Sequence, residues 1–431
     1  MSKKRSRRTP VDWVLRIAVV LAILAVAITA ILAARIFLTG TGPEDSAADP
    51  SPVSAPPAST ASQTPEPAAP TAALTPAPTL PPTEEELRAV RAREILDEMT
   101  LHEKVCQLFI VYPEAITGVG AVVSAGSATE QALADWPVGG FLYDKKNMQT
   151  QQQVIDMAAG VQSYAKIPLI LTCDEEGGRV NRLMSAVGTT YIGPMLKYKD
   201  QGTETAFENA KTIAADLVSC GLNTDLAPVA DVWSNPANTV IGDRAYSNDF
   251  AQAAQLVAAA VEGFHAGGAA CTLKHFPGHG NTSADSHYGA VYVERTLEEL
   301  REKELLPFRA GIDAGADVVM LGHLIVSDMD SEPAPFSHKI VTGLLRGELG
   351  FTGVVMTDGL QMQAMTDHYG SGEIAVKAIQ AGVDILLCPV DLAAAVTALE
   401  DAAASGEISE TRLDESVLRV LELKLKQGIL F

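Results

Sequence analysis

Ala269-Ala270-Cys271-Thr272-Leu273-Lys274-His275-Phe276-Pro277-Gly278-His279-Gly280 is the stretch on which the fold class turns. Its first five residues read as a short buried strand, and polar residues begin where that strand ends. From Lys274 to His287, fourteen positions hold a cation, three histidines, the carboxylate Asp285 and three turn formers. An ordinary core strand or solvated helix does not have that composition. Polar groups gathered at a strand end are the arrangement by which α/β folds hold ligands and carry out chemistry.

Working outward, the same pattern recurs. Strand-like runs are read at Val105 to Val111, Val138 to Tyr143, Leu169 to Cys173, Thr224 to Ala230, Ala269 to Leu273, Val318 to Leu321, Gly353 to Met356 and Asp384 to Cys388. Between several of them lie stretches with helical spacing: Thr205 to Cys220, Phe250 to His265, Leu297 to Ala314 and Glu373 to Ala381. Eight alternating units predict an α/β fold built as a single (β/α)8 TIM-like barrel, with a doubly wound open sheet as the alternative. The useful side chains arbitrate between the two. Asp144, Lys145, Asp174, Asp231, Lys274, His275, His323 and Asp358 follow different strands, as they do when a barrel collects them onto one rim.

The N-terminal part has a different character. Lys3, Lys4, Arg5, Arg7 and Arg8 precede an uncharged apolar run from Ile17 to Ala34, near the lower length limit for a membrane span. Residues 1–40 are accordingly predicted to be a basic stub and an uncleaved transmembrane helix. By the positive-inside rule the chain is then a single-pass cell-membrane protein with its folded part outside. Residues 41–83 hold twelve of the 24 prolines, mixed with Ala, Ser and Thr, and read as a disordered linker. The folded domain is placed at 84–431.

The first 40 residues hold seven of the 32 basic and one of the 53 acidic groups, so the remainder has 25 basic against 52 acidic groups and a net charge of −27. Such a surface excludes nucleic acid as a partner. The five cysteines, Cys106, Cys173, Cys220, Cys271 and Cys388, are scattered and form no CxxC pair, so neither a zinc site nor a disulfide framework is indicated.

Asp358 lies in Val354-Val355-Met356-Thr357-Asp358-Gly359-Leu360, directly after an apolar strand. A carboxylate there suits a nucleophile that attacks a sugar carbon, and equally an N-cap. Asp285 and His287 share one side of an extended loop, where the aspartate can fix the imidazole tautomer and leave the other nitrogen to move a proton. Arg179, Arg182, Arg244, Lys274 and His275 supply hydrogen-bond donors, and Asp174 can accept from two hydroxyls. A structural ion pair of Asp174 with Arg179 or Arg182 is the plainer reading of that motif. His275, His279, Asp285 and His287 could instead ligate a metal, but their spacing fits neither a helical HExxH nor a facial triad. The reading therefore includes no metal and no cofactor.

Taken together, Asp174-Glu175-Glu176-Gly177-Gly178-Arg179-Val180-Asn181-Arg182, Ile241-Gly242-Asp243-Arg244, the Lys274 to His287 stretch and Thr357-Asp358-Gly359-Leu360 resemble the glycoside hydrolase family 3 β-N-acetylhexosaminidases, of the β-N-acetylglucosaminidase branch. The resemblance runs from about Glu84 to the C-terminus. It implies a retaining hydrolase that removes terminal N-acetylglucosamine from peptidoglycan-type glycans. Asp358 would form a covalent glycosyl-enzyme, and His287 with Asp285 would serve as acid/base. Asp174, Arg182, Arg244, Lys274 and His275 would bind the sugar. The family often has Asp-Gln-Glu-Gly-Gly where this chain has Asp174-Glu175-Glu176, and Asp-Asp or Asp-Ala where it has Asp358-Gly359. The alternatives are a phosphorylase, in which phosphate takes the sugar from Asp358, and a catalytically inactive sugar-binding wall protein.

Overall fold

The computed structural model describes residues 82–283 and 289–431. Ten short strands alternate with helices, and every pairing between strands is parallel. β1 is Phe109–Val111, β2 Gly140–Leu142, β3 Ile170–Cys173, β4 Thr224–Asp225 and β5 Thr272–Phe276. β6 is Val291–Val293, β7 Val318–Leu321, β8 Leu324–Val326, β9 Val354–Thr357 and β10 Leu386–Leu387.

The single closed barrel expected from the sequence is not found. The strands form a five-stranded sheet in the order β10-β1-β2-β3-β4, a three-stranded sheet β5-β7-β9 and a two-stranded sheet β6-β8. Between the two larger sheets only isolated bridges occur: Thr224 with Ala270, Val229 with Lys274, and Met356 with Ile385. The physical reason lies in the residues at these seams. Pro228 has no N–H to give to a ladder, so the expected strand Thr224 to Ala230 shrinks to two residues. At the other seam side chains take backbone partners, as the Asp384 carboxylate accepts from Val355 N–H at 2.9 Å and Thr357 Oγ1 from Leu387 N–H at 3.0 Å.

The expected transmembrane helix does not fall among the described residues, where no helix is long and apolar enough to cross a membrane. Residues 1–40, where it was placed, and all but the last two of the linker residues 41–83 lie outside the described residues.

Local readings shift in two places. The run starting at Val105 opens as a helix, Leu101–Gln107, because Thr100 and Glu103 form a reciprocal capping box. Leu297 to Ala314 splits into Leu297–Glu302 and Leu305–Asp313, with Pro307 in the first turn of the second helix, where its missing N–H costs least.

Alternation along the strands explains which groups face which way. Ile170, Val318, Met320, Val354 and Met356 share one buried cluster made mostly of residues in or next to strands, with Val420 and Leu423 from the C-terminal helix. Leu171, Val319, Leu321 and Val355 belong to another that also contains helix residues such as Leu217, Val257 and Ala378. Extending the first set by steps of two leads from Ile170 and Thr172 to Asp174, from Ala270 and Thr272 to Lys274, and from Val354 and Met356 to Asp358. Three charged residues thus arrive on one face at one end of the strands by parity alone.

Candidate active site

Those three residues line a cavity of about 410 Å³ together with Arg182, Arg244 and His275. Its volume lies within the range of small-molecule sites. The structure therefore brings together six of the eight residues singled out from the sequence. Asp285 and His287 lie outside the described residues.

The floor of the cavity is an ion network. Lys274 Nζ donates to Asp174 Oδ1 at 2.7 Å and to Glu176 Oε1 at 2.6 Å. Arg244 grips the same Glu176 with both arms of its fork, Nε and Nη2 each at 2.8 Å. Such bidentate, charge-assisted pairs fix geometry as well as charge. Burial on its own would push the Glu176 carboxyl up, yet Arg244 and Lys274 together hold it far below the ordinary carboxylate range. The reciprocal effect keeps Lys274 and Arg244 protonated, with pKa values above normal despite burial.

Glu176 was not singled out from the sequence. The available signal was spacing, since in extended chain residues 174 and 176 share a side and both carboxylates reach one ammonium. Arg182 stands at the edge of the network, its Nε on Asp144 at 2.8 Å and its Nη2 on Asp174 at 3.5 Å. The plainer ion-pair reading of Asp174 is thus met by Arg182 and not by Arg179. The Arg179 guanidinium donates instead to the carbonyls of Thr239, Val240 and Ile241 and pairs with Asp243, so it straps a loop in place.

A second network orients the histidines. The Asp231 carboxylate, buried and held below its ordinary pKa mainly by His275 against the opposing effect of burial, accepts from three donors. These are His275 N–H at 3.1 Å, His275 Nδ1 at 2.6 Å and His279 N–H at 2.6 Å. Because an ionised carboxylate only accepts, Nδ1 of His275 carries the proton and Nε2 is left toward Arg244, 3.5 Å away. His279 has its Nδ1 2.7 Å from Thr282 Oγ1, and burial lowers its pKa and keeps it neutral. Gly280 explains itself by contact: a Cβ there would lie 1.8 Å from the Val232 carbonyl oxygen.

Asp358 closes the ring. Its Oδ1 accepts from Gly359 N–H at 2.7 Å, and the Gly359 carbonyl meets His323 Nε2 at 2.9 Å. Burial would raise its pKa, but the neighbouring His275 and His323, the Gly359 hydrogen bond and the Lys274 ammonium bring it below the ordinary value. An ionised carboxylate backed by a dry strand and facing sugar-sized space is equipped to attack an electrophilic carbon.

Among the described residues, His265, Cys271 and Asp317 form a further group of metal-binding side-chain types. It contains none of the four residues considered from the sequence, and Asp317 there already holds His265 at 2.8 Å and Lys426 at 2.6 Å.

Residues 100–423 match the family model described as glycosyl hydrolase family 3 N terminal domain. The chain is 36% identical over 276 residues to the β-hexosaminidase of Xylella fastidiosa (strain M23), covering 61% of this chain and 81% of that protein. It is 32% identical over 326 residues to β-hexosaminidase A of Pseudoalteromonas piscicida, covering 69% of this chain and 54% of that protein. A solved structure, a glycoside hydrolase family 3 β-N-acetylglucosaminidase from Paenibacillus sp. str. FPU-7, superposes with a TM-score of 0.73 at 38% identity, over 77% of this chain and 63% of that one. The chain thus spans about half the length of the Pseudoalteromonas protein and less than two thirds of the Paenibacillus one.

Proposed function

Since this chain belongs to glycosyl hydrolase family 3, we propose that it is a retaining β-N-acetylglucosaminidase acting on terminal, non-reducing N-acetylglucosamine of peptidoglycan-type glycans. The observation that carries this reading is the ionised Asp358 carboxylate facing a cavity whose floor presents Asp174, Lys274, Arg244 and His275. Fixed charged donors beside a carboxylate acceptor suit a ring of hydroxyl groups.

In the first step an Asp358 carboxylate oxygen attacks C1 of the sugar as the C1–O bond to the leaving group breaks. His287, oriented by Asp285, gives its proton to the departing oxygen. In the second step His287 takes a proton from water, the water oxygen bonds to C1, and the ester to Asp358 breaks. Two displacements at one carbon return the original β configuration. Lys274, Arg244 and Asp174 hold the ring against Asp358 while its charge develops. A location outside the cytoplasm goes with this proposal, and protease accessibility of the folded domain in intact cells checks it.

The test is turnover of a chromogenic β-N-acetylglucosaminide by wild type and Asp358→Ala, with and without phosphate. Loss of the nucleophile is expected to lower kcat/KM by about 10⁴-fold. Equal rates in the two proteins would remove the assignment of Asp358. N-acetylglucosamine 1-phosphate as the main product would make the chain a phosphorylase instead.

A further inference from the structure

The outer part of the same cavity has a different character from its floor. Lys274 is 2% exposed and His275 7%, whereas Gln361, on the turn that follows Asp358, and Gln363, at the start of the helix Gln363–Thr366, are exposed and also line the cavity. Glu176, Lys274 and His275 lie deep, Asp174 and Arg182 are partly exposed, and the neutral amides lie at the mouth. Arg182, the partly exposed cation of the lining, is already held by Asp144 and Asp174.

A Cβ on Gly359 would lie 2.8 Å from both Nε2 and Oε1 of Gln361. The amide therefore rests against the bare α-carbon of the residue next to Asp358, in space that any side chain at 359 would take. Among the described residues its polar atoms make no hydrogen bond. A glutamine amide has two donor hydrogens and an acceptor oxygen, and here all of them are available to a ligand.

A pocket that takes a terminal sugar at its closed floor must direct the rest of the substrate to its mouth. We propose that Gln361, seated on Gly359, is the hydrogen-bonding contact for the sugar residue that leaves. Its hydroxyl and amide groups both donate to and accept from the Gln361 amide, whereas a 4-nitrophenyl leaving group offers no donor and only weak acceptors. The inference rests on the glycosidase reading above. Gln361 sets leaving-group preference, while Asp358 and the floor network serve every substrate alike.

The experiment compares kcat/KM for N,N′-diacetylchitobiose with kcat/KM for 4-nitrophenyl N-acetyl-β-glucosaminide in the full chain, in Gln361→Ala and in Gly359→Ala. The ratio of disaccharide to aryl glycoside is expected to fall about three- to tenfold in both variants, the worth of one net hydrogen bond. In Gly359→Ala the glutamine remains but its seat is filled, so a matching fall ties the effect to the position of the amide. A ratio unchanged within twofold in both variants overturns the contact and leaves the glycosidase reading standing. Wild type inactive on both substrates overturns the glycosidase reading, and the contact with it.

Discussion

At Glu176 two cations meet one carboxylate that is 4% exposed. Leaving buried charges without their partner costs about 3–5 kcal/mol, more than the intact pair contributes relative to apolar neighbours. Glu176→Gln keeps the shape but removes the charge that both Lys274 and Arg244 face. The expected outcome is a lower melting temperature and a KM raised by about tenfold or more, with a smaller change in kcat, because sugar-holding groups are displaced and the nucleophile is not. Steady-state kinetics beside thermal unfolding check this; a fall in kcat at unchanged KM would assign Glu176 a different role. Asp358 gives a pH prediction. Its folded pKa lies below the ordinary 3.8, so the nucleophile stays ionised as pH falls through the usual carboxylate range. The acid limb of the kcat/KM profile is therefore expected at lower pH than an ordinary carboxylate would give, while His287, which must carry its proton in the first step, sets the alkaline limb, so Asp285→Asn is expected to move the alkaline limb to lower pH.

Among the elements, β10 shows how two residues of strand can hold a seam. Asp384, just before it, is fully buried and accepts from Arg346 Nη2, Arg419 Nη1 at 3.1 Å, Ser416 Oγ at 2.6 Å and the Val355 amide. Those partners come from the helical segment Lys339–Glu348, from the C-terminal helix Glu410–Lys426 and from β9. One carboxylate thus ties two helices to the place where sheet β5-β7-β9 meets β10 by a single bridge. Asp384→Ala leaves partly buried arginines without their partner, and a loss of about 3 kcal/mol is expected, read from the urea midpoint. Asp384→Asn, which keeps one acceptor oxygen and replaces the other with an NH2 donor, should lose less. The seam also explains why the barrel expectation went too far. Eight strand-helix units and their polar ends are visible in composition and periodicity, whereas backbone ladder continuity depends on local donors that Pro228, Asp384 and Thr357 remove or redirect.

For the molecule as a whole, Lys424 sets a pH dependence far from the cavity. Its side chain is fully buried, with Nζ donating to Gln107 Oε1 at 2.7 Å, and burial lowers its pKa to about 7 from 10.5. The unfolded chain binds that proton up to about pH 10.5 and the folded chain only up to about 7, so folding releases a proton between these values. Stability from this group therefore rises with pH across that window, with a slope of up to about 1.4 kcal/mol per pH unit, and is lowest below it. Lys424→Met is expected to remove the slope and to raise stability at neutral pH, measured by chemical denaturation from pH 7 to 10. Lys424 was invisible as a buried group in the sequence, because its partner is 317 positions away. By itself the sequence determined the family motifs, the strand parity that puts Asp174, Lys274 and Asp358 at one end of one face, and the acidic balance of the folded part, since all three follow from local residue identity and a repeat of two. Only the tertiary structure decided that the strands divide into separate sheets, that Glu176 joins Lys274 to Arg244, and that the Gln361 amide occupies the space Gly359 leaves. Each of these depends on distances between segments far apart in the chain or on the space one side chain leaves for another, and neither is encoded by any single stretch.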